Sequence, residues 1–553
     1  MIGMSNKNLK KFEKVLWIVF ITVGFAGVFS FVLLCREGKH QKRPAENVSR
    51  QPETEQNESG TGVESGLSDK TMWLPEGCGL YESLPEIYFE NENGVKYSSR
   101  DFNGKKTVLV FWASWCEDCR EQMPHMKEFM EFSKNFGDIQ FLFINRLDGT
   151  RETKENAAAY FQELGLDAPV YFDVGETAYQ ALGMKNIPTT YFLDEEGKII
   201  TWSAGQITEK SVFEAYLNNL CKGNRQATQD FVINALTDEE GGIHTTYVPG
   251  DTAATLASQV LSESQGILME YAVRTGQKEL FDRTWNYVRG NMNLGGLISW
   301  CITEGTASGV NALLDDLRIY RALREAEKLW GGYAGDAAGI GGAIAAYAVQ
   351  DGCYVDFYDT KNGQAAGILT LCYIDLETME LLAGTYDVLR EAYENAAEIL
   401  QYGQISETFP LFYTRYNYKT KSYEKDDLHM AEAMVTLLHM AKAGILPENT
   451  HDWLRKQMEY GSIMAKYTVD GEPVEGYQYE STAVYALTAM IGDTLGDAGL
   501  RGWALKKMEK SRIQDCSRVY NGAFGNEDGS GIVSFDQLMP LSAYAALETI
   551  DKD

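Results

Sequence analysis

The chain has 553 residues, 44% of them hydrophobic, a length that calls for two or three folded domains rather than one core. Its formal charge of -29, from 50 basic and 79 acidic side chains, repels phosphate backbones and anionic headgroups, which argues against nucleic acid as a partner. Nine cysteines and six histidines are scattered and only Cys116 and Cys119 lie close together, so no disulfide scaffold, no metal centre and no cofactor is expected.

Residues 1–14 carry Lys7, Lys10, Lys11 and Lys14 and read as a cytoplasmic N-terminus. They precede an apolar run from Val15 to Cys35. About 20 apolar residues at 1.5 Å rise suffice to cross a bilayer core. No small-residue cleavage site follows, and Leu34 is too large for the position before a lipoprotein cysteine. Residues 15–35 therefore read as an uncleaved transmembrane signal-anchor, the expected membrane attachment. Basic residues flank both ends, so charge alone barely orients it. Residues 36–75, rich in Glu, Gln, Ser, Asn and Gly, bury too little surface to offset their ordering entropy and read as a flexible linker.

From 76 to 224 strand-like and helix-like segments alternate, the pattern of an α/β domain. Lys106–Trp112 reads as a buried strand that leads into Ala113-Ser114-Trp115-Cys116-Glu117-Asp118-Cys119-Arg120 and a helix to about Phe132. A dithiol at this spacing lies on a first helical turn, where unpaired N–H groups and the helix dipole favour a thiolate. Cys116 is the expected nucleophile and Cys119 the resolving thiol.

These residues resemble the thioredoxin superfamily, in particular its membrane-tethered, extracytoplasmic branch, over roughly Leu84 to Leu220. The resemblance is carried by Phe111–Cys116, by Pro124 five residues after Cys119, by Asn186-Ile187-Pro188-Thr189-Thr190-Tyr191-Phe192, and by a hairpin turn at 194–198. It implies a cis Pro188 beside Cys116, an Ile187 backbone that pairs with a substrate segment, and protein thiols and disulfides as partners. It also implies that the folded domains lie on the extracytoplasmic side of the cell membrane. Glu90 is similar to an acid that some tethered relatives place near the disulfide. Glu117 and Asp118 stand between the cysteines, where the family often has a proline in second place. Two carboxylates there are expected to disfavour the thiolate, raise the cysteine pKa values and tilt the pair towards a reductant.

From Gln229 onward the pattern changes to amphipathic helices, such as Leu261–Thr275, Ala312–Leu329, Ala365–Gly384 and Leu428–Ala443. Gly241–Tyr247, Ser262-Glu263-Ser264-Gln265-Gly266, Leu297–Trp300 and Asn311–Leu323 with its Asp315-Asp316 pair resemble glycoside hydrolase family 8. The resemblance covers roughly Phe231 to the C-terminus and implies an (α/α)6 barrel over 225–553. The expected fold class is thus multidomain: a transmembrane helix, an α/β thioredoxin-like domain and an all-α barrel.

The family's activity implies an inverting hydrolase of a β-linked polysaccharide, with one protonated carboxyl and one ionised carboxylate across the bond. Glu263 matches the general acid, and Asp316 the second cleft acid that orients the sugar ring, with Asp315 facing away. The family's basic aspartate falls near Phe409–Tyr418, where the best-placed residue is Asn417, an amide that cannot take a proton. Asp426 and Asp427, a few residues on, are the candidates to replace it. Trp300, Tyr413, Tyr416 and Tyr418 are expected to stack on sugar faces. The rival reading is a thiol-disulfide reductase whose barrel is a non-catalytic glycan-binding platform. In a plainer reading still, Glu263 is a first-turn dipole partner and the aspartates are helix caps. Residues 526–537 read as a turn and not a calcium loop, since Gln537 stands where glutamate is needed.

Overall fold

The structure is a computed structural model that describes residues 79–250 and 258–548. The signal-anchor expected at 15–35 and the linker at 36–75 lie outside the described residues. Among the described residues, no helix is long and apolar enough to cross a membrane.

The first part is a seven-stranded sheet in the order β2-β1-β5-β4-β3-β6-β7. Its strands are β1 (Tyr88–Asn91), β2 (Lys96–Ser98), β3 (Lys106–Trp112), β4 (Ile139–Leu147), β5 (Val170–Val174), β6 (Thr189–Leu193) and β7 (Ile199–Ser203). β3, β4 and β5 run parallel, whereas β6 pairs antiparallel with β3. β3 is central, and Thr107 to Trp112 are all buried, as the unbroken apolar run requires of a strand covered on both faces. Helix α1 (Glu117–Gln122) begins directly after Cys116. A short 3-10 turn with Pro124 in its first turn separates it from α2 (Met126–Ser133), which places the family's kink as expected. α3 (Lys154–Leu164), α4 (Thr177–Ala181) and α5 (Lys210–Lys222) complete the layers.

The second part is a closed double ring of helices. The inner ring is α7 (Ser262–Arg274), α9 (Leu313–Trp330), α11 (Leu376–Ala383), α13 (Met430–Lys442), α15 (Thr482–Thr494) and α17 (Phe535–Leu547). Each packs on the next, and α17 closes back on α7. Outside stand α6 (Asn224–Phe231), α8 (Lys278–Tyr287), α10 (Ala334–Tyr347), α12 (Arg390–Gln401), α14 (Glu448–Tyr460) and α16 (Ala498–Glu509). Because each inner helix is followed by an outer return, all inner N-termini gather at one end, the (α/α)6 arrangement. The expected helix 365–384 is shorter than the sequence suggested: Ile368–Thr370 instead pairs with Arg415–Asn417, and only Leu376–Ala383 is α-helical. Gly367 weakens the helix there, the β-branched Ile368 and Thr370 favour that strand, and the Asp375 side chain caps the helix that follows.

The two parts share a buried polar seam. The Arg512 guanidinium, fully enclosed, donates to Asn224 Oδ1 (2.8 Å), the Asn224 carbonyl (2.5 Å) and Asn219 Oδ1 (3.1 Å), and lies 3.5 Å from Glu509. Glu509 in turn accepts the Tyr544 hydroxyl. Nearby, the Tyr81 hydroxyl donates to Glu548 (3.0 Å), which pairs with Arg225 (2.9 Å).

Candidate active sites: a dithiol and a ring of barrel acids

At the dithiol, the strand-to-helix transition sets the chemistry. Cys116 is the N-cap of α1, and its sulfur accepts the backbone N–H of Cys119 at 3.4 Å. The thiol donates to the Ile187 carbonyl at 3.2 Å, and the Ile187–Pro188 bond is cis. The structure therefore brings Cys116, Cys119, Ile187 and Pro188 together. Cys119 is fully buried, and burial pushes its thiol strongly up, with the neighbouring Cys116 adding to it. Cys116 is drawn down to about 7, first by its hydrogen bond with Cys119, against burial and the Asp118 charge. This corrects the expected rise at Cys116. Asp118 acts in the expected direction, but Glu117 and Asp118 are exposed to solvent, which screens them, and the helix-end N–H outweighs them.

Glu90 lies on β1 and pairs with Lys154 on α3. The buried acid beside the dithiol loop is Glu152, which accepts the Ser114 amide (2.6 Å) and hydroxyl (2.8 Å), two residues before Cys116. No sequence motif signalled it, because Glu152 comes from a separate loop before α3.

In the barrel, the acids sit on the first turns of inner helices. Glu263 begins α7, Asp315 and Asp316 begin α9, and Glu432 begins α13. Gly266 of the Ser-Glu-Ser-Gln-Gly motif lets α9 approach: a Cβ there would stand 3.4 Å from that of Arg318. Gln265, with its amide oriented to satisfy both ends, donates to the Gly241 carbonyl and accepts the Ile243 amide, pinning the preceding loop. The Trp300 carbonyl accepts from the Ser262 amide (3.0 Å) and hydroxyl (3.3 Å), which ties the 297–300 segment to the start of α7.

Glu263 is pushed up to about 7, first by burial, then by the Asp315 charge and, more weakly, by Glu432, against the lowering effect of Arg318. At neutral pH a proton on this carboxyl is within thermal reach, as a general acid requires. The two aspartates, of which Asp316 was the expected cleft acid, differ in their partners. Asp316 is fully buried and turned to the protein, accepting the Ile298 amide (2.9 Å) and the Asn311 amide (2.6 Å). Asp315 faces the cleft acids, bonded by the Ser262 hydroxyl and 3.6 Å from Arg318 one turn on. Every residue from Leu313 to Tyr320 is buried, so polarity alone could not show which aspartate looked inward.

The loop candidates are tied to cations. Asp426 lies 3.2 Å from Arg415 and Asp427 lies 3.4 Å from Lys466. Asn417 is bonded to Glu424 (2.9 Å) in the 415–423 hairpin. Tyr413 stacks on Tyr423, with ring centres 5.3 Å apart, and Tyr416 meets the same ring edge-on. The Tyr418 hydroxyl donates to the Tyr354 carbonyl (2.6 Å). Asp356, unforeseen, is raised to about 6 by burial, and Thr370 bonds both of its oxygens at 2.6 Å. Glu432, Arg318 and Arg415 were also missed, for they are separated along the chain and meet only through the closed ring.

Comparisons with known proteins agree with both halves. Residues 81–201 match the AhpC/TSA family. The thiol-disulfide oxidoreductase ResA of Bacillus thuringiensis subsp. konkukian is 30% identical over 139 residues, which are 25% of this chain and 77% of that protein. YdaJ of Bacillus subtilis is 26% identical over 325 residues, 58% of this chain and 86% of YdaJ. That match is too long for the first domain alone, so it takes in the barrel. A solved α-amylase of Clostridium perfringens superposes with a TM-score of 0.54 at 30% identity, covering 58% of this chain and 97% of that one. Through its first folded part, therefore, the chain belongs to the ResA family of thiol-disulfide oxidoreductases within the thioredoxin superfamily, and it joins that domain to a glycoside hydrolase family 8-like barrel.

Proposed function

We propose that this is a membrane-anchored, extracytoplasmic protein that works protein disulfides at Cys116 and hydrolyses a polysaccharide with inversion in the barrel. The observation that carries the hydrolase reading is Glu263, a half-buried carboxyl on the first turn of an inner helix, raised to about 7 and within reach of the Asp315 and Arg318 charges. Glu263 gives its proton to the leaving oxygen, and Asp315 with Arg318 holds the ring on the other side of the bond. A second, ionised carboxylate takes the proton of the attacking water. Likeness to the Clostridium perfringens α-amylase adds α-glucans to the β-linked polysaccharides implied by the family 8 resemblance.

The test is release of reducing ends from a panel of α- and β-linked glycans by the full chain and by Glu263→Gln. Release that the variant loses supports the reading; no release from any glycan leaves the binding-platform alternative.

On the thiol side, Cys116 attacks a substrate disulfide and Cys119 resolves the mixed disulfide. A Cys116 pKa of about 7 lies in the range of thioredoxin-type reductants. That supports the reducing direction on grounds other than the two carboxylates. A Cys119→Ser variant should trap mixed disulfides through Cys116; a variant that traps none counts against redox work. Membrane attachment through 15–35 is tested by fractionation of cells carrying the full chain and one that starts after the apolar run.

A further inference from the structure

The sequence named Asp426 and Asp427 as replacements for the missing aspartate base, but the cleft holds a better-placed carboxylate. We propose that Glu432 is the residue that takes the proton of the attacking water; this rests on the hydrolase reading above.

Three observations carry it. Glu432 starts inner helix α13 and lines a small cavity with Thr370, Cys372, Tyr413, Thr414 and Thr436. Its Oε2 is buried and has no hydrogen-bond partner, whereas the neighbouring aspartates are occupied. Asp356 is bonded by Thr370 on both oxygens, and Asp315 by Ser262, with Arg318 3.6 Å away. Asp426 and Asp427 are half-exposed and turned to Arg415 and Lys466. A water in the cavity would find the free Glu432 oxygen as acceptor and threonine groups around it.

The electrostatics agree with that geometry. Burial raises Glu432 and the nearby Arg415 and Lys466 hold it down, with Asp426 opposing them. The net direction is up, and a carboxylate with a raised pKa is a stronger base than an exposed one. The Glu432 charge also reaches Glu263 and contributes to its raised pKa, although no hydrogen bond joins the two among the described residues. Two carboxyl groups apart but mutually felt are the arrangement that leaves room for water in an inverting site.

A water oxygen bonds to the anomeric carbon as the bond from that carbon to the leaving oxygen breaks. Glu432 takes one proton of the water and Glu263 gives its proton to the leaving oxygen. The products are a hemiacetal of inverted configuration and a free hydroxyl, and solvent returns the proton from Glu432 to Glu263.

The experiment compares the full chain with Glu432→Gln, Glu432→Asp, Asp426→Asn, Asp427→Asn and Glu263→Gln on the glycan that the wild type cuts. Glu432→Gln is expected to lower kcat by about 10²–10⁴-fold with KM little changed. Sodium azide, a nucleophile that needs no base, should restore turnover to that variant and give a glycosyl azide of inverted configuration. Glu432→Asp keeps part of the activity, and Asp426→Asn and Asp427→Asn stay within about tenfold of wild type. Unchanged circular dichroism and Cys116 alkylation confirm that each variant folds; if Glu432→Gln does not fold, the Asp variant and its azide response decide. The proposal is overturned if Glu432→Gln keeps more than a tenth of the activity, or if azide rescues Asp426→Asn or Asp427→Asn instead. Activity lost in Glu263→Gln but kept in Glu432→Gln sinks this proposal alone. A wild type that cuts no glycan sinks the hydrolase reading and this proposal with it.

Discussion

The two centres of this molecule tune their protons by opposite routes. At Cys116 the shift is local: a helix-end N–H and the next thiol, both within three residues, draw the pKa down to about 7 although the sulfur is buried. At Glu263 burial wins over the helix end and pushes a carboxyl up to about 7, with help from charges on two other inner helices. Both groups sit on the first turn of a helix, so the dipole alone does not decide the outcome. What differs is whether a donor reaches the charged atom. Cys116 has one, and Glu263 has no hydrogen-bond partner among the described residues.

Several variants press on this contrast, the largest effect first. Glu263→Gln should lower the rate of glycan cleavage by about 10²–10⁴-fold. The same variant should leave the pH midpoint of Cys116 alkylation unchanged; a shift there would mean that the centres are not separate. The buried seam offers a structural test. Arg512→Ala leaves Glu509 and two asparagines without their partner and should cost about 3–5 kcal/mol. Hydrogen exchange in β3 and in α17 should rise together, because the seam belongs to both parts; a rise in only one would show that they open separately.

The two aspartates come next. Asp315 raises Glu263, so Asp315→Asn should lower that pKa and move the alkaline fall of activity to lower pH, on the order of one unit. Asp316→Asn should instead lower stability and leave the limb in place, since that carboxylate faces the Ile298 amide and Asn311. The smallest effect is at the dithiol. Asp118 raises Cys116, so Asp118→Asn should lower the alkylation midpoint from about 7, by roughly a few tenths of a unit because the carboxylate is exposed.

The same contrast explains what could be read from the sequence. The dithiol centre was legible because its strand, cysteines and helix are contiguous and its second segment, Asn186–Phe192, carries a proline that marks it. Only Glu152, from a separate loop, escaped. The barrel was legible as helices and as the motif around Glu263, but the cleft is assembled from first turns some 50 to 170 residues apart in the chain. Choosing Asp315 over Asp316 requires the rotation of α9 about its axis, and on first turns buried on every side no polar stripe reports it. Glu432 lies five residues beyond Asp427, outside the loop where the base was sought, and only closure of the ring brings it to the cavity.

The most direct test is the pH dependence of glycan cleavage by the full chain, measured with the dithiol reduced and again with it oxidised. A carboxyl acid with a pKa of about 7 is protonated below that value, so the rate should fall as pH rises through about 7. The fall should move to lower pH in Asp315→Asn and be indifferent to the state of Cys116 and Cys119. A rate that is flat through pH 7, or that survives Glu263→Gln, would contradict the account.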